Sequence, residues 1–116
     1  MANKIIPTPY FESRLKKFLK KFPSLANELT ELEETLLAHP QTGKDIGAGI
    51  FKIRLASKSK GAGKSGGFRI ITYLVKPAAE GTDIYLITIY DKSEESTIDK
   101  GELKRLIKSI FDTNRF

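Results

Sequence analysis

Apolar residues in the first third of the chain recur at the spacing of two consecutive α-helices. Two groups repeat every three or four positions: Phe11, Leu15, Phe18, Leu19 and Phe22, then Leu25, Leu29, Leu32 and Leu36. That period places each group along one face of a helix. Pro23 lies between them, and proline both interrupts a helix and suits the first turn of the next one. The pattern therefore predicts a helical hairpin, preceded by a short strand over residues 3–8.

The rest of the chain has the pattern of strands followed by one more helix. Residues 51–56 alternate between apolar and other side chains, which is typical of a half-buried strand. Residues 68–75 and 84–90 are nearly continuous apolar runs, as expected for central strands covered on both faces. Helical spacing returns over residues 103–111. We expect an α+β fold of order β-α-α-β-β-β-α: an antiparallel sheet packed with the helical hairpin and a C-terminal helix.

Length and composition restrict the class of protein. A chain of 116 residues is the size of one domain, so we expect residues 1–116 to form a single unit. The chain contains no cysteine and one histidine, which removes thiol nucleophiles, thiolate metal sites and most multi-histidine metal sites. No apolar run approaches the roughly 20 residues of a membrane helix. We expect a cytoplasmic protein with no cofactor, no metal and no membrane partner.

The positive charge is concentrated in the middle of the chain. Lysine and arginine number 20 against 14 acidic residues, a net charge of +6. Residues 40–80 hold eight basic and two acidic side chains, so this segment carries the whole excess. Part of it is the loop 57–67, SKSKGAGKSGG, which lies between two predicted strands. An anion site is therefore expected in this segment.

The loop resembles part of a nucleotide-binding P-loop but does not fit the complete pattern. That pattern requires a glycine five residues before Gly63, where this chain has Lys58, and a helix afterwards, where this chain has a predicted strand. A loop whose lysines serve only solubility is the simpler alternative. Phosphate binding is favoured because the flanking strands are also basic. In one of several possible registers Arg54 faces Arg69, which is unfavourable unless an anion lies between them.

These same residues are similar to a known family of bacterial proteins. The segments Lys52-Ile53-Arg54-Leu55, GAGKSGGFRIITYLV (61–75) and LITIYDKSEES (86–96) resemble the RelE/HigB superfamily of toxins from type II toxin–antitoxin systems, particularly its HigB-like branch. The resemblance covers about residues 46–99. It implies a RelE-like fold and ribosome-dependent endonucleolytic cleavage of mRNA, which inhibits translation. It also implies neutralisation by a cognate antitoxin, often a helix-turn-helix protein in this branch.

The resemblance assigns roles by position. Lys52 and Arg54 match basic residues of the family's active strand, Arg69 matches the arginine after the loop, and Lys92 matches a basic residue after the last strand. Some RelE toxins place a catalytic tyrosine shortly after that last basic residue, near the position of Ile98 here. In this chain no tyrosine follows Tyr90. The sequence therefore departs from the family pattern at the expected acid–base residue.

Metal-independent RNA cleavage needs a base for the 2′-hydroxyl, cations for the developing phosphorane charge and an acid for the leaving oxygen. Arg54 and Arg69 suit charge stabilisation through bidentate phosphate contacts. Lys52 or Lys92 suits the base because neighbouring cations lower a lysine pKa, and Tyr90 is a weaker candidate. Three loop lysines are expected to bind the RNA backbone: Lys58, Lys60 and Lys64.

Three hypotheses follow from the sequence. The first is a ribosome-dependent mRNA endonuclease toxin. The second is a non-catalytic RNA- or ribosome-binding module on the same scaffold, favoured by the missing late tyrosine. The third is a protein-interaction module whose basic face docks an acidic partner. The oligomeric state, the identity of the antitoxin and the cleavage preference stay open at this point.

Overall fold

A computed structural model of the chain describes residues 2–60, 67–76, 81–93 and 98–112. The described residues form three helices and five strands, with a short 3₁₀ turn between the third and fourth strands. In chain order these are β1 (Lys4–Pro7), α1 (Pro9–Lys21), α2 (Leu25–Ala38), β2 (Lys44–Gly47), β3 (Ile50–Leu55), the 3₁₀ turn (Lys58–Lys60), β4 (Phe68–Val75), β5 (Asp83–Asp91) and α3 (Lys100–Asp112). The protein thus has an α+β fold. None of the described helices has the length and apolar character needed to cross a bilayer.

The helical hairpin begins and ends where its local sequence requires. Thr8 caps α1, because its hydroxyl accepts a hydrogen bond from the Phe11 backbone N–H at 3.2 Å, and a proline occupies the first helical position. The chain leaves α1 at Phe22, immediately before Pro23. Helix α2 then ends at His39, whose backbone N–H donates to the Thr35 carbonyl. Both predicted helices of the hairpin are confirmed.

The sheet differs from the predicted one in two respects. Its strand order is β1-β5-β4-β3-β2, in which β2 to β5 form an antiparallel meander and β1 lies parallel to β5 at one edge. The sheet is therefore mixed, and the prediction of a purely antiparallel sheet was wrong. The element order predicted from the sequence also lacked β2. This strand has only four residues, Lys-Asp-Ile-Gly, which are too few to display a period-2 pattern.

A tight turn joins β2 to β3. Gly47, Ala48 and Gly49 all have positive φ angles, of 95°, 57° and 81°. Glycine adopts such angles without a steric penalty, whereas alanine rarely does. Ala48 is the one described non-glycine residue with a positive φ. This turn brings β2 back against β3 and places a further basic strand beside the segment that the sequence singled out.

The two faces of the sheet are covered by different helices. On the first face, residues of α1 and α2 pack against Ile53, Phe68, Ile70 and Ile89. On the second face, Leu103 and Ile107 of α3 lie in one apolar cluster with strand residues such as Ile71 and Tyr90. Residues directly opposite each other in neighbouring strands share a face of the sheet. The basic residues of β3 and β4 can therefore be assigned to a face from the register.

Candidate anion-binding cleft

The register of β3 and β4 brings the basic residues of both strands to the second face. Arg54 lies directly opposite Arg69, and Lys52 lies opposite Ile71, which belongs to the cluster beneath α3. Because alternate residues of a strand share a face, Lys52, Arg54 and Arg69 all project to the side that carries α3. Of the registers that the loop allows, the structure therefore has the one in which two arginines meet.

These residues line a cleft with a volume of about 480 Å³, here called the basic cleft. Its walls come from β2, β3, β4, the end of β5 and the residues before β2. The lining residues are Thr42, Gly43, Lys44, Lys52, Ile53, Arg54, Arg69 and Lys92. Five of these eight described residues are cationic and none is acidic. A concave site with this charge attracts phosphate groups and offers no carboxylate ligand for a metal ion.

The two arginines are held differently. Arg69 is only 4 % exposed, and its Nη1 donates a hydrogen bond to the Phe68 backbone carbonyl at 3.2 Å. Arg54 is exposed to solvent. One guanidinium is thus fixed at the bottom of the basic cleft on a central strand, while the other stands at its rim. Such a pair can contact one phosphate from two sides.

Lys52 has the electrostatic surroundings that the sequence predicted for a base. Its pKa is lowered, first by partial burial, which disfavours the ammonium form, and then by the charges around it. Those charges belong to Lys44, Arg69, Lys92 and Arg54, in decreasing order of effect. The cations around Lys52 thus act in the direction that the sequence analysis expected, after the larger effect of burial. A lowered pKa increases the fraction of neutral amine that can accept a proton at neutral pH.

Lys44 belongs to the basic cleft, although sequence reasoning did not select it. It lies opposite Lys52 in the register of β2 and β3. The approach of this strand depends on Gly43, which has a φ of 101° and whose Cβ, if present, would lie 2.6 Å from the Lys52 carbonyl oxygen. The one feature of the sequence that could have indicated Lys44 is its position inside the most basic segment, residues 40–80. It was missed because β2 itself was missed.

The two loop lysines that the structure describes, Lys58 and Lys60, do not line the basic cleft. Lys58 is exposed in the 3₁₀ turn, and Lys64 lies outside the described residues. Lys60 forms an ion pair with Asp91, with 2.6 Å between Nζ and Oδ2. Asp91 lies opposite Phe68, so this ion pair is on the face of the sheet that carries α1 and α2. The structure thus places Lys60 away from the cleft cations.

Tyr90 has a packing role beneath the basic cleft. It lies opposite Arg69 in the register of β4 and β5, but its side chain is 1 % exposed and belongs to the apolar cluster under α3. Ile98, near the position of the family's late tyrosine, packs against the same cluster. A proton carrier needs access to the substrate. Among the described residues that line the cleft, the lysines are therefore the candidates for proton transfer, and none is a tyrosine or a histidine.

A comparison of the chain with protein-family models gives no match. The resemblance to RelE/HigB toxins therefore stays a prediction from the sequence motifs quoted above.

Proposed function

We propose that this protein is a RelE/HigB-like toxin that cleaves mRNA on the ribosome without using a metal ion, in a RelE-like fold. The observation that carries the proposal is the basic cleft. Five cations from β2, β3, β4 and the residue after β5 meet there, and none of the described residues that line it is acidic. Like charges placed opposite each other in a sheet are unfavourable. An arrangement of this kind is best understood as a site for the phosphate backbone of RNA.

The proposed reaction assigns a step to each group. Arg69 and Arg54 bind the scissile phosphate and stabilise the charge that develops on its oxygens. Lys52 accepts the proton of the 2′-hydroxyl, whose oxygen then forms a bond to phosphorus. The bond from phosphorus to the 5′-oxygen breaks, and Lys92 donates a proton to that oxygen. The products are a 2′,3′-cyclic phosphate on the upstream fragment and a 5′-hydroxyl on the downstream fragment.

The proposed partners follow from the same chemistry. None of the described residues that line the cleft is aromatic, so none offers a ring on which a base can stack. Selection of mRNA therefore falls to the ribosome, which presents the message to a cleft that binds its backbone. A cognate antitoxin, in the HigB-like branch often a helix-turn-helix protein, would neutralise the toxin in the cytoplasm.

A non-catalytic RNA- or ribosome-binding module is the second candidate. The burial of Tyr90 and the presence of Ile98 near the family's tyrosine position favour it, because both leave the lysines as the available proton carriers. This candidate uses the same cleft for binding and predicts inhibition of translation without cleavage. A protein-interaction module that docks an acidic partner on the basic cleft predicts neither RNA binding nor cleavage.

Induced expression in bacteria separates these functions. Wild-type protein should arrest growth and produce new RNA ends inside translated messages, whereas Arg69→Ala and Arg54→Ala should do neither at equal protein level. Arg105→Ala is the matched control, because Arg105 is an exposed arginine of α3 that does not line the cleft. Arrest without new ends supports the binding module. Absence of both arrest and ends in the wild type contradicts the proposal.

A further inference from the structure

Lys60 and Asp91 form a buried ion pair on the face of the sheet opposite to the basic cleft. The two side chains are 10 % and 3 % exposed, and Nζ lies 2.6 Å from Asp91 Oδ2. The other carboxylate oxygen accepts hydrogen bonds from the backbone N–H and the hydroxyl of Ser93, at 2.9 and 2.8 Å. Burial alone would raise the pKa of Asp91, but the hydrogen bonds from Lys60 and Ser93 outweigh burial and lower it. The Asp91 carboxylate is thus held in its charged form.

The Lys60 ammonium group also contacts two aromatic rings. Nζ lies 4.9 Å from the centre of the Phe22 ring and 5.4 Å from that of Phe68, a distance at which a cation is attracted by the ring face. The Phe22 and Phe68 rings themselves pack edge to face at 5.4 Å. A single ammonium group therefore joins the end of α1, the start of β4 and the end of β5.

The residues that Lys60 joins are neighbours of the cleft cations. Phe68 precedes Arg69 in β4, and Asp91 precedes Lys92 at the end of β5. Successive residues of a strand point to opposite faces, so a contact that fixes Phe68 and Asp91 on one face also fixes the strand ends that present Arg69 and Lys92 on the other. Lys60 itself follows β3, the strand that carries Lys52 and Arg54.

We propose that the Lys60–Asp91 ion pair positions the basic cleft by holding the ends of β4 and β5 in a fixed relation to the segment after β3. The inference rests on the proposed function, which assigns RNA binding to the basic cleft. It gives Lys60 a structural role in place of the RNA contact predicted from the sequence. Lys60 acts through Arg69 and Lys92 and is a positioning residue. Because Asp91 already neutralises its charge, Lys60 releases no counterion when RNA binds.

The salt dependence of RNA binding distinguishes a positioning lysine from a phosphate-binding one. Lys60→Met is compared with Lys58→Met, an exposed lysine of the same 3₁₀ turn, using a fluorescent oligouridylate at several salt concentrations. If Lys58 contacts the backbone, Lys58→Met should reduce the slope of log K against log salt by about 0.7. Lys60→Met should weaken binding several-fold and leave that slope unchanged. A slope reduction of about 0.7 in Lys60→Met overturns the inference, whatever the result for Lys58→Met.

Two further variants separate positioning from stability. Lys60→Met leaves a buried carboxylate unpaired, which destabilises the fold. The double variant Lys60→Met/Asp91→Asn removes both charges and should recover thermal stability but not oligouridylate affinity, whereas Lys60→Arg should recover both. Wild-type affinity in the double variant means that the ion pair contributes stability alone, and it contradicts the inference.

A spectroscopic measurement keeps this test independent of the proposed function. The ¹⁵Nε resonance of the Arg69 side chain should shift in Lys60→Met and in the double variant, and should remain at its wild-type position in Lys58→Met. If wild-type protein does not bind oligouridylate, the proposed function fails while this resonance still reports on positioning. An unchanged Arg69 resonance in the double variant overturns the positioning role.

Discussion

Neutralising Arg54 should stabilise the protein although it removes a side chain from the proposed site. Arg54 lies directly opposite Arg69 in neighbouring antiparallel strands. A pair of like charges in this position costs about 0.2–1 kcal/mol. Arg54 is exposed, so solvent screens part of the repulsion, and the expected gain in the free energy of unfolding for Arg54→Gln is about 0.5 kcal/mol at low salt.

Urea unfolding at two salt concentrations measures this gain. The Debye length is about 30 Å at 0.01 M salt and about 3 Å at 1 M, so the stabilisation should be present at the lower concentration and largely lost at the higher one. Lys4→Gln is the matched control. Lys4 is also an exposed cation of a strand, but it lies opposite Asp83, so its removal should be neutral or slightly destabilising.

The sign of the effect decides whether the reasoning holds. If Arg54→Gln is as stable as the wild type at 0.01 M salt, or less stable, then the two arginines do not repel each other measurably. A gain of equal size in Lys4→Gln would also refute the reasoning, because it would come from the lower net charge of the whole protein. A gain confined to Arg54→Gln supports repulsion between Arg54 and Arg69 across the strand pair.

Three more changes have definite expected outcomes in unfolding experiments. Thr72→Val should stabilise the protein by about 1 kcal/mol, because the Thr72 hydroxyl is buried and has no hydrogen-bond partner among the described residues; a loss of stability in urea would contradict this. Ala48→Gly should stabilise by about 0.5–1 kcal/mol, since φ at this position is 57°, and thermal unfolding measures it. The pKa of Asp91 is lower in the folded state, so its carboxylate contributes stability above the unfolded value of about 3.9 that is lost as pH falls through the folded value. Asp91→Asn should therefore flatten the loss of stability below pH 5, and an unchanged acid profile would disagree.

The helices and central strands could be predicted from the sequence because the positions of their apolar residues match the faces that are buried in the fold. Residues 68–75 and 84–90 are nearly continuous apolar runs, and most residues of β4 and β5 are buried. Of the edge strands, β1 was predicted but its parallel pairing was not, and β2 was missed. The pairing of β1 with β5 joins residues about 80 positions apart, such as Ile5 and Ile84, and a four-residue strand holds no information about its partner.

The candidate site shows the same division between local and non-local information. Lys52, Arg54 and Arg69 could be selected because period-2 alternation and the basic composition of their segment are local properties. The partner of Lys60 could not be foreseen, because the ion pair with Asp91 depends on how the segment after β3 meets the end of β5. A lysine in a glycine-rich loop has the same local sequence whether its charge is free or neutralised by a buried carboxylate.

The chemistry of newly formed RNA ends distinguishes the proposed reaction from other routes of RNA decay. Attack by the 2′-hydroxyl leaves a 5′-hydroxyl on the downstream fragment, whereas hydrolysis by an activated water can leave a 5′-phosphate. Ends within translated messages should be mapped after induction of wild-type protein and of Arg69→Ala. We expect 5′-hydroxyl ends with the wild type and none with the variant. New ends that carry 5′-phosphate, or ends that persist in Arg69→Ala, would contradict cleavage by the basic cleft.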